Sequence, residues 1–270
     1  MTLAPAARRL GIRQAAHGDR RWWDLLLVVW MAWIFDAVNN LGPVRQHLAE
    51  RDGAEVLNVE RALHAAPELA LTTWLSVHHL LSQIVVFWYV NIHGAVTFAV
   101  FGWLWWRRPD LLPPLRTALV IITAVGLAVF WALPVAPPRM LIMDGYVDLV
   151  AAAHHVPVWQ SGWTALDANQ LSAFPSLHIA WAVWAAIALW RISSRLWLRG
   201  LAVAYPLVTL FAVMATGNHY LADGVIGAGI TALAVLGADR IWARRRARAR
   251  SSRLTPPGGV LPASRAGESA

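Results

Sequence analysis

Apolar stretches close to the ~20 residues a helix needs to cross a bilayer alternate along this chain with short polar connectors. Behind a polar, arginine-bearing segment at residues 1–21, the first stretch runs from about Trp22 to Leu41. It lacks a convincing small-residue cleavage site and reads as a membrane anchor. The second, from about Trp74 to Trp106, is too long for one perpendicular crossing. Either it tilts or an interfacial turn precedes it. Arg107, Arg108, Pro109 and Pro113-Pro114 make a short turn before a third span, from about Arg116 to Val135, which Pro134, Pro137 and Pro138 stop. The fourth, fifth and sixth spans run from about Pro175 to Trp190, Leu201 to Ala215 and Tyr220 to Trp242. The pattern predicts an all-α, six-transmembrane-helix bundle over residues 22–242.

The connectors are uneven. Residues 42–73 are mixed, and Glu60, Leu63, His64 and Glu68 at helical spacing suit a short amphipathic helix against the membrane. A soluble connector helix fits nearly as well. Beyond the third span, the stretch to about Phe174 is broken by Gly145, Pro157 and Gly162. Loops of this length are usually functional or disordered. After the sixth span comes the basic run Arg244-Arg245-Arg246-Ala247-Arg248-Ala249-Arg250, followed by a Pro/Gly/Ser-rich end. Residues 243–270 are predicted to be a disordered tail whose arginines contact anionic lipid.

Composition agrees with a bilayer as solvent. The chain is 58% hydrophobic and 14% charged, against about 45–50% and about 25% for soluble domains. Many tryptophans, among them Trp22, Trp23, Trp103, Trp105, Trp106 and Trp197, stand where apolar runs stop, at headgroup level. There is no cysteine and no lysine, which excludes thiolate and amine chemistry. A net charge of +8 does not point to nucleic acid, because the arginines are dispersed. All but Arg45, Arg51, Arg61 and Arg139 lie at the termini or beside connectors 107–116 and 191–199. By the positive-inside rule both termini are cytoplasmic. The ends of spans three and five and the starts of four and six then face outward.

Three polar clusters stand at those outward ends: Ala136-Pro137-Pro138-Arg139, Phe174-Pro175-Ser176-Leu177-His178, and Gly217-Asn218-His219 through Asp223. His219 and Asp223 are four apart, so on a helix the carboxylate fixes the imidazole tautomer and supports its charge. Pro175 suits a first helical turn, with the Ser176 and Leu177 amides at its positive end, where anions bind. His178 then sits beside a bound phosphate. The Arg139 guanidinium matches phosphate oxygens, and Asn218 adds hydrogen bonding. Taken singly, the His–Asp pair could join helices and Arg139 could anchor an interface. Together they point to a site, since ionisable groups at membrane depth are costly.

From about Trp22 to Gly229 the chain resembles the type 2 phosphatidic acid phosphatase superfamily, and within it the branch related to fungal inositol phosphorylceramide synthases. In that superfamily a proline-serine-glycine-histidine motif, and a histidine followed four residues later by aspartate, hold the catalytic acid and the nucleophile. Pro175-Ser176-Leu177-His178 and His219-Tyr220-Leu221-Ala222-Asp223 match them, with Leu177 replacing glycine. The branch tolerates that leucine, and Asn169-Gln170 with Phe174 to His178 resembles its version of the motif. Two departures remain. The superfamily's lysine before an arginine-proline pair is missing, and Ala212-Val213 replaces its serine-arginine. Pro137-Pro138-Arg139 resembles the branch's substitute for the first motif.

The resemblance implies a metal-independent lipid phosphatase or inositolphosphotransferase-like enzyme with no cofactor. In it His219 attacks phosphorus, Asp223 supports it and His178 protonates the leaving oxygen, while Arg139, Ser176 and Asn218 hold the phosphate. The phosphohistidine passes its phosphoryl group to water or to an alcohol, and the sequence leaves that choice open. Tyr89, Asn91 and His93 in span two are either interhelical glue or, as in the branch, lining of a headgroup pocket. His154 and His155 lack a third metal ligand at useful spacing. The expected partners are a membrane lipid phosphate or phosphodiester and anionic lipid, with no nucleic acid. The contrasting readings are a non-catalytic headgroup-binding scaffold or transporter, and an inactive relative.

Overall fold

A computed structural model of the 270-residue chain describes residues 22–29, 33, 45–141, 144–152 and 171–254. Every regular element among them is helical. Residues 22–29 form a helical stretch tied to the bundle by an ion pair between Asp24 and Arg116. The rest of the first expected span lies outside the described residues, as do 153–170, which include His154, His155, Asn169 and Gln170. The main helices are α1 (Gln46–Ala62), α2 (Glu68–Ser76), α3 (His79–Arg107), α4 (Leu112–Ala132), α5 (Leu177–Ile192), α6 (Leu196–Ala215) and α7 (Leu221–Leu254). Four of them, α3, α4, α6 and α7, contain stretches long and apolar enough to cross a membrane; α5, with 16 residues, is a shorter apolar helix.

Several boundaries differ from expectation for local reasons. The second run breaks after Ser76, where Val77 and His78 separate α2 from α3, so a turn precedes the crossing. Pro113 and Pro114 lie inside the first turn of α4 and not in a connector. Proline's missing amide costs nothing there, because the first-turn amides have no partner within the helix. Pro175 stands ahead of α5, whose N-cap is Ser176. The α7 helix does not stop at Trp242 but continues through the basic run to Leu254, which corrects the expected disorder of that part of the tail. Alternating alanine and arginine, both strong helix formers, account for the extension.

The supposed helix through Glu60 and Glu68 is two helices. The chain leaves α1 at Ala62, His64 adopts a left-handed φ of 55°, and α2 begins after Pro67. Leu63 is 71% exposed, while Glu60 and Glu68 are 3% and 0% exposed.

Interhelical packing sets the position of the active end. In α4, Leu115, Leu119 and Ile122 pack with Trp181, Trp184 and Ala185 of α5 and with Ala234 and Ala238 of α7. Buried indoles need acceptors. Trp184 donates to the Leu115 carbonyl at 2.8 Å, and Trp181 to Thr123 Oγ1 at 3.2 Å. Small residues permit close approach: a Cβ at Gly227 would collide with the Ser176 carbonyl, and one at Gly126 with the Leu177 side chain. Thr231 of α7 also donates to the Ala180 carbonyl at 2.9 Å. These contacts run α5 and α7 side by side in one direction. Their starts therefore meet at the end of the bundle where α4 and α6 finish.

Candidate active site

His219 belongs to the turn between α6 and α7 and not to a helix, so the expected same-face pairing with Asp223 arises differently. Gly217, at a left-handed φ of 68°, turns the chain out of α6, and its carbonyl accepts from the Arg139 amide at 2.8 Å. Asp223 lies in the first turn of α7, where Oδ2 accepts from the Tyr220 amide at 2.9 Å and stands 3.4 Å from His219 Nδ1. The Ala173 carbonyl is nearer to that nitrogen, at 2.7 Å. With two acceptors facing it, Nδ1 carries the proton, so in the neutral ring Nε2 holds the lone pair.

That lone pair points at the second histidine. His178, in the first turn of α5, sets Nδ1 3.1 Å from His219 Nε2. The two imidazoles expected to converge therefore do so. The hydrogen-bonded gap leaves no room for another group between the two rings. Tyr89 stacks on that ring at 4.7 Å between centroids, and His93 lies against it at 4.1 Å. Tyr89 lies in a π-helical turn, Trp88–Ile92, and His93 follows it directly; the turn's extra residue alters the helix's facing. Such turns are frequent at functional sites. Asn91 is not brought in: its side-chain amide donates to the Phe87 carbonyl at 3.1 Å.

Arg139 sits in a single 3-10 turn, Pro138–Met140. Its Nε donates to Asn218 Oδ1 at 2.9 Å, linking it to the residue before His219, and Nη1 donates to Asp148 Oδ2 at 2.7 Å. The Asn218 amide nitrogen is engaged by Thr216, with Oγ1 at 2.9 Å. Ser176 is buried; its hydroxyl accepts from the Ile179 amide at 3.4 Å, and its own amide donates to the Asp223 carbonyl at 3.2 Å. In this state Ser176 caps α5 and ties it to α7. Asp148, which sequence reasoning missed, holds the guanidinium from the long connector, and no motif marks it.

The sequence model of the PAP2 superfamily matches residues 54–237. This chain belongs to that superfamily. No curated protein matches it in sequence. Among solved structures it is similar to the crystal structure of Aquifex aeolicus LpxE, at 19% identity and a TM-score of 0.46, over 58% of this chain and 85% of that one. Membership in the PAP2 superfamily, together with several apolar helices, supports a membrane lipid phosphatase. Among the described residues of this PAP2 protein, no three acidic or imidazole side chains are grouped to hold a metal ion.

Two further residues of this PAP2 protein border the site. Glu68 Oε1 accepts from the Leu221 amide at 2.7 Å and Glu60 Oε1 from the Ala222 amide at 2.6 Å. Hydrogen bonds of this kind contribute about 0.5–1.5 kcal/mol each, and they hold both carboxyls, reaching in from α1 and α2, against the start of α7. Burial, and next the Glu68 and Asp223 charges, push the Glu60 carboxyl up to about 7, against the pull of the Ala222 amide. Burial and then Asp223 raise Glu68 as well. Tyr146 packs nearby with its hydroxyl pushed up to about 12, by burial first and Glu68 second. The sequence signal for this corner was the helical spacing of Glu60 and Glu68 within a mixed segment, which says nothing of the distant amides that bind them.

Proposed function

We propose that this protein is a membrane enzyme that moves a phosphoryl group from a lipid-borne phosphate onto His219 and then onto an acceptor. The observation that carries the proposal is the fixed tautomer of His219. Nδ1 is held by the Ala173 carbonyl and backed by Asp223, and Nε2 faces His178. In the first step the Nε2 lone pair forms a bond to phosphorus, the bond to the lipid oxygen breaks, and His178 gives that oxygen a proton. In the second, water or an alcohol attacks phosphorus, His178 takes the attacking group's proton, and the phosphorus–nitrogen bond breaks.

Arg139, its guanidinium steadied by Asn218, would meet the equatorial oxygens, since phosphoryl transfer is mainly positioning and charge stabilisation. The phosphate would then displace Asp148 from the guanidinium. Tyr89 and His93 would line the headgroup side, and Ser176 would act by holding His178's helix. No step here calls for a metal or cofactor. The arginine distribution puts both termini in the cytoplasm and the site on the opposite face of the cell membrane, with the arginines of α7 against anionic headgroups. The resemblance to inositol phosphorylceramide synthases favours an alcohol acceptor.

The test uses purified protein with phosphatidic acid and with phosphatidylinositol, each with and without an alcohol acceptor. Inorganic phosphate released from the monoester indicates a phosphatase, whereas a new phosphodiester formed only with the alcohol indicates a transferase. Lipid binding with turnover of neither would favour the scaffold reading and contradict the proposal.

A further inference from the structure

Three carboxyl groups converge on the start of α7, and the proposed reaction uses one. The Tyr220, Leu221 and Ala222 amides go to Asp223, Glu68 and Glu60 respectively. The other oxygen of each acid, Asp223 Oδ1, Glu68 Oε2 and Glu60 Oε2, is buried without a hydrogen-bond partner. A helix N-terminus offers only about half a positive charge. It cannot match three carboxylates, and a buried charge lacking a partner is costly.

We propose that Glu60 and Glu68 are positioning residues of the active centre, which seat the first turn of α7 and thereby hold His219 and Asp223 in register with His178. The role of His219 in this rests on the proposed function above. The two glutamates act as neutral acids, leaving Asp223 the single negative charge behind His219. They face each other, Asp223, Tyr146 and Tyr220; the Arg61–Asp144 pair, at 3.1 Å, lies beyond Tyr146. The site's foundation is thus supplied from α1 and α2, outside the histidine motifs.

The sign of the pH effect follows from the raised position of Glu60, which is about 7 when folded against an ordinary 4.5. Its stabilisation is complete below the ordinary value and is lost as pH rises through about 7. Glutamine at either position keeps the acceptor and the shape but cannot ionise, whereas alanine removes the acceptor.

The experiment measures thermal unfolding of the full chain in detergent from about pH 5 to about pH 9, and kcat and KM on phosphatidic acid, for the Gln and Ala variants at both sites. Parent stability should fall through neutrality and the Glu60→Gln curve should stay level. Each alanine variant should lose about tenfold or more in kcat with KM within about twofold, and glutamine should restore kcat to within about threefold. Parallel unfolding curves, alanine variants with parental kcat, or no rescue by glutamine would each overturn the proposal. If the alanine variants do not fold, the glutamine variants carry the test through their pH curves. A parent that turns over no lipid phosphate sinks the proposed function instead, and the unfolding curves still decide whether the glutamates are held neutral.

Discussion

His219→Ala is expected to lower turnover by more than about 10³-fold while leaving the unfolding temperature in detergent near the parental value. The ring is 4% exposed, and its hydrogen bonds go to the Ala173 carbonyl and to His178, at the edge of the bundle's packed interior. Its removal deletes the lone pair facing the phosphate site without unpacking α4, α5 or α7. Phosphate release from phosphatidic acid, measured beside a melting curve, checks both halves. Activity within about tenfold of the parent would remove His219 as nucleophile.

Arg139→Lys should cost about 10²–10³-fold in kcat, with a smaller change in KM. The guanidinium reaches Asn218 through Nε and Asp148 through Nη1 at once, a forked reach that an ammonium cannot copy. The chain has no lysine, so no second cation of that kind stands in reserve. Steady-state kinetics on the lysine variant decide the matter, and a loss below about threefold would show that the charge alone suffices or that Arg139 only anchors the loop.

Much of this arrangement was legible in the residues. Apolar run lengths gave the helices, and the polar clusters at their ends gave Arg139, His178, His219 and Asp223, because ionisable groups seldom occur at such ends without a task. Asn218, expected only to add hydrogen bonding to the phosphate, lies beside Arg139 with its Oδ1 2.9 Å from Nε. Reading single residues by local rules failed where long-range partners decide. Glu60 and Glu68 suit one amphipathic helix by their spacing, yet amides more than 150 positions away hold their carboxyls from two separate helices. Ser176 looked like a phosphate ligand, but its position at the start of α5 makes it a cap. Asn91 and His93 share one polar stretch, and the π-helical turn sends only His93 toward His178. Residues 30–32 and 34–41 of the first span and residues 153–170 lie outside the described residues, so the six-span count, the termini's side and the Asn169-Gln170 motif rest on sequence alone.

The most direct measurement of the central claim is capture of the covalent intermediate. Protein incubated briefly with ³²P-labelled phosphatidic acid and denatured in alkali should carry label that is stable to base, lost in mild acid, and confined to the peptide containing His219. It should be absent from His219→Ala and accumulate in His178→Ala with a substrate whose leaving group needs no proton. Turnover of lipid phosphate with no acid-labile label under these conditions, or label on a different residue, would contradict it.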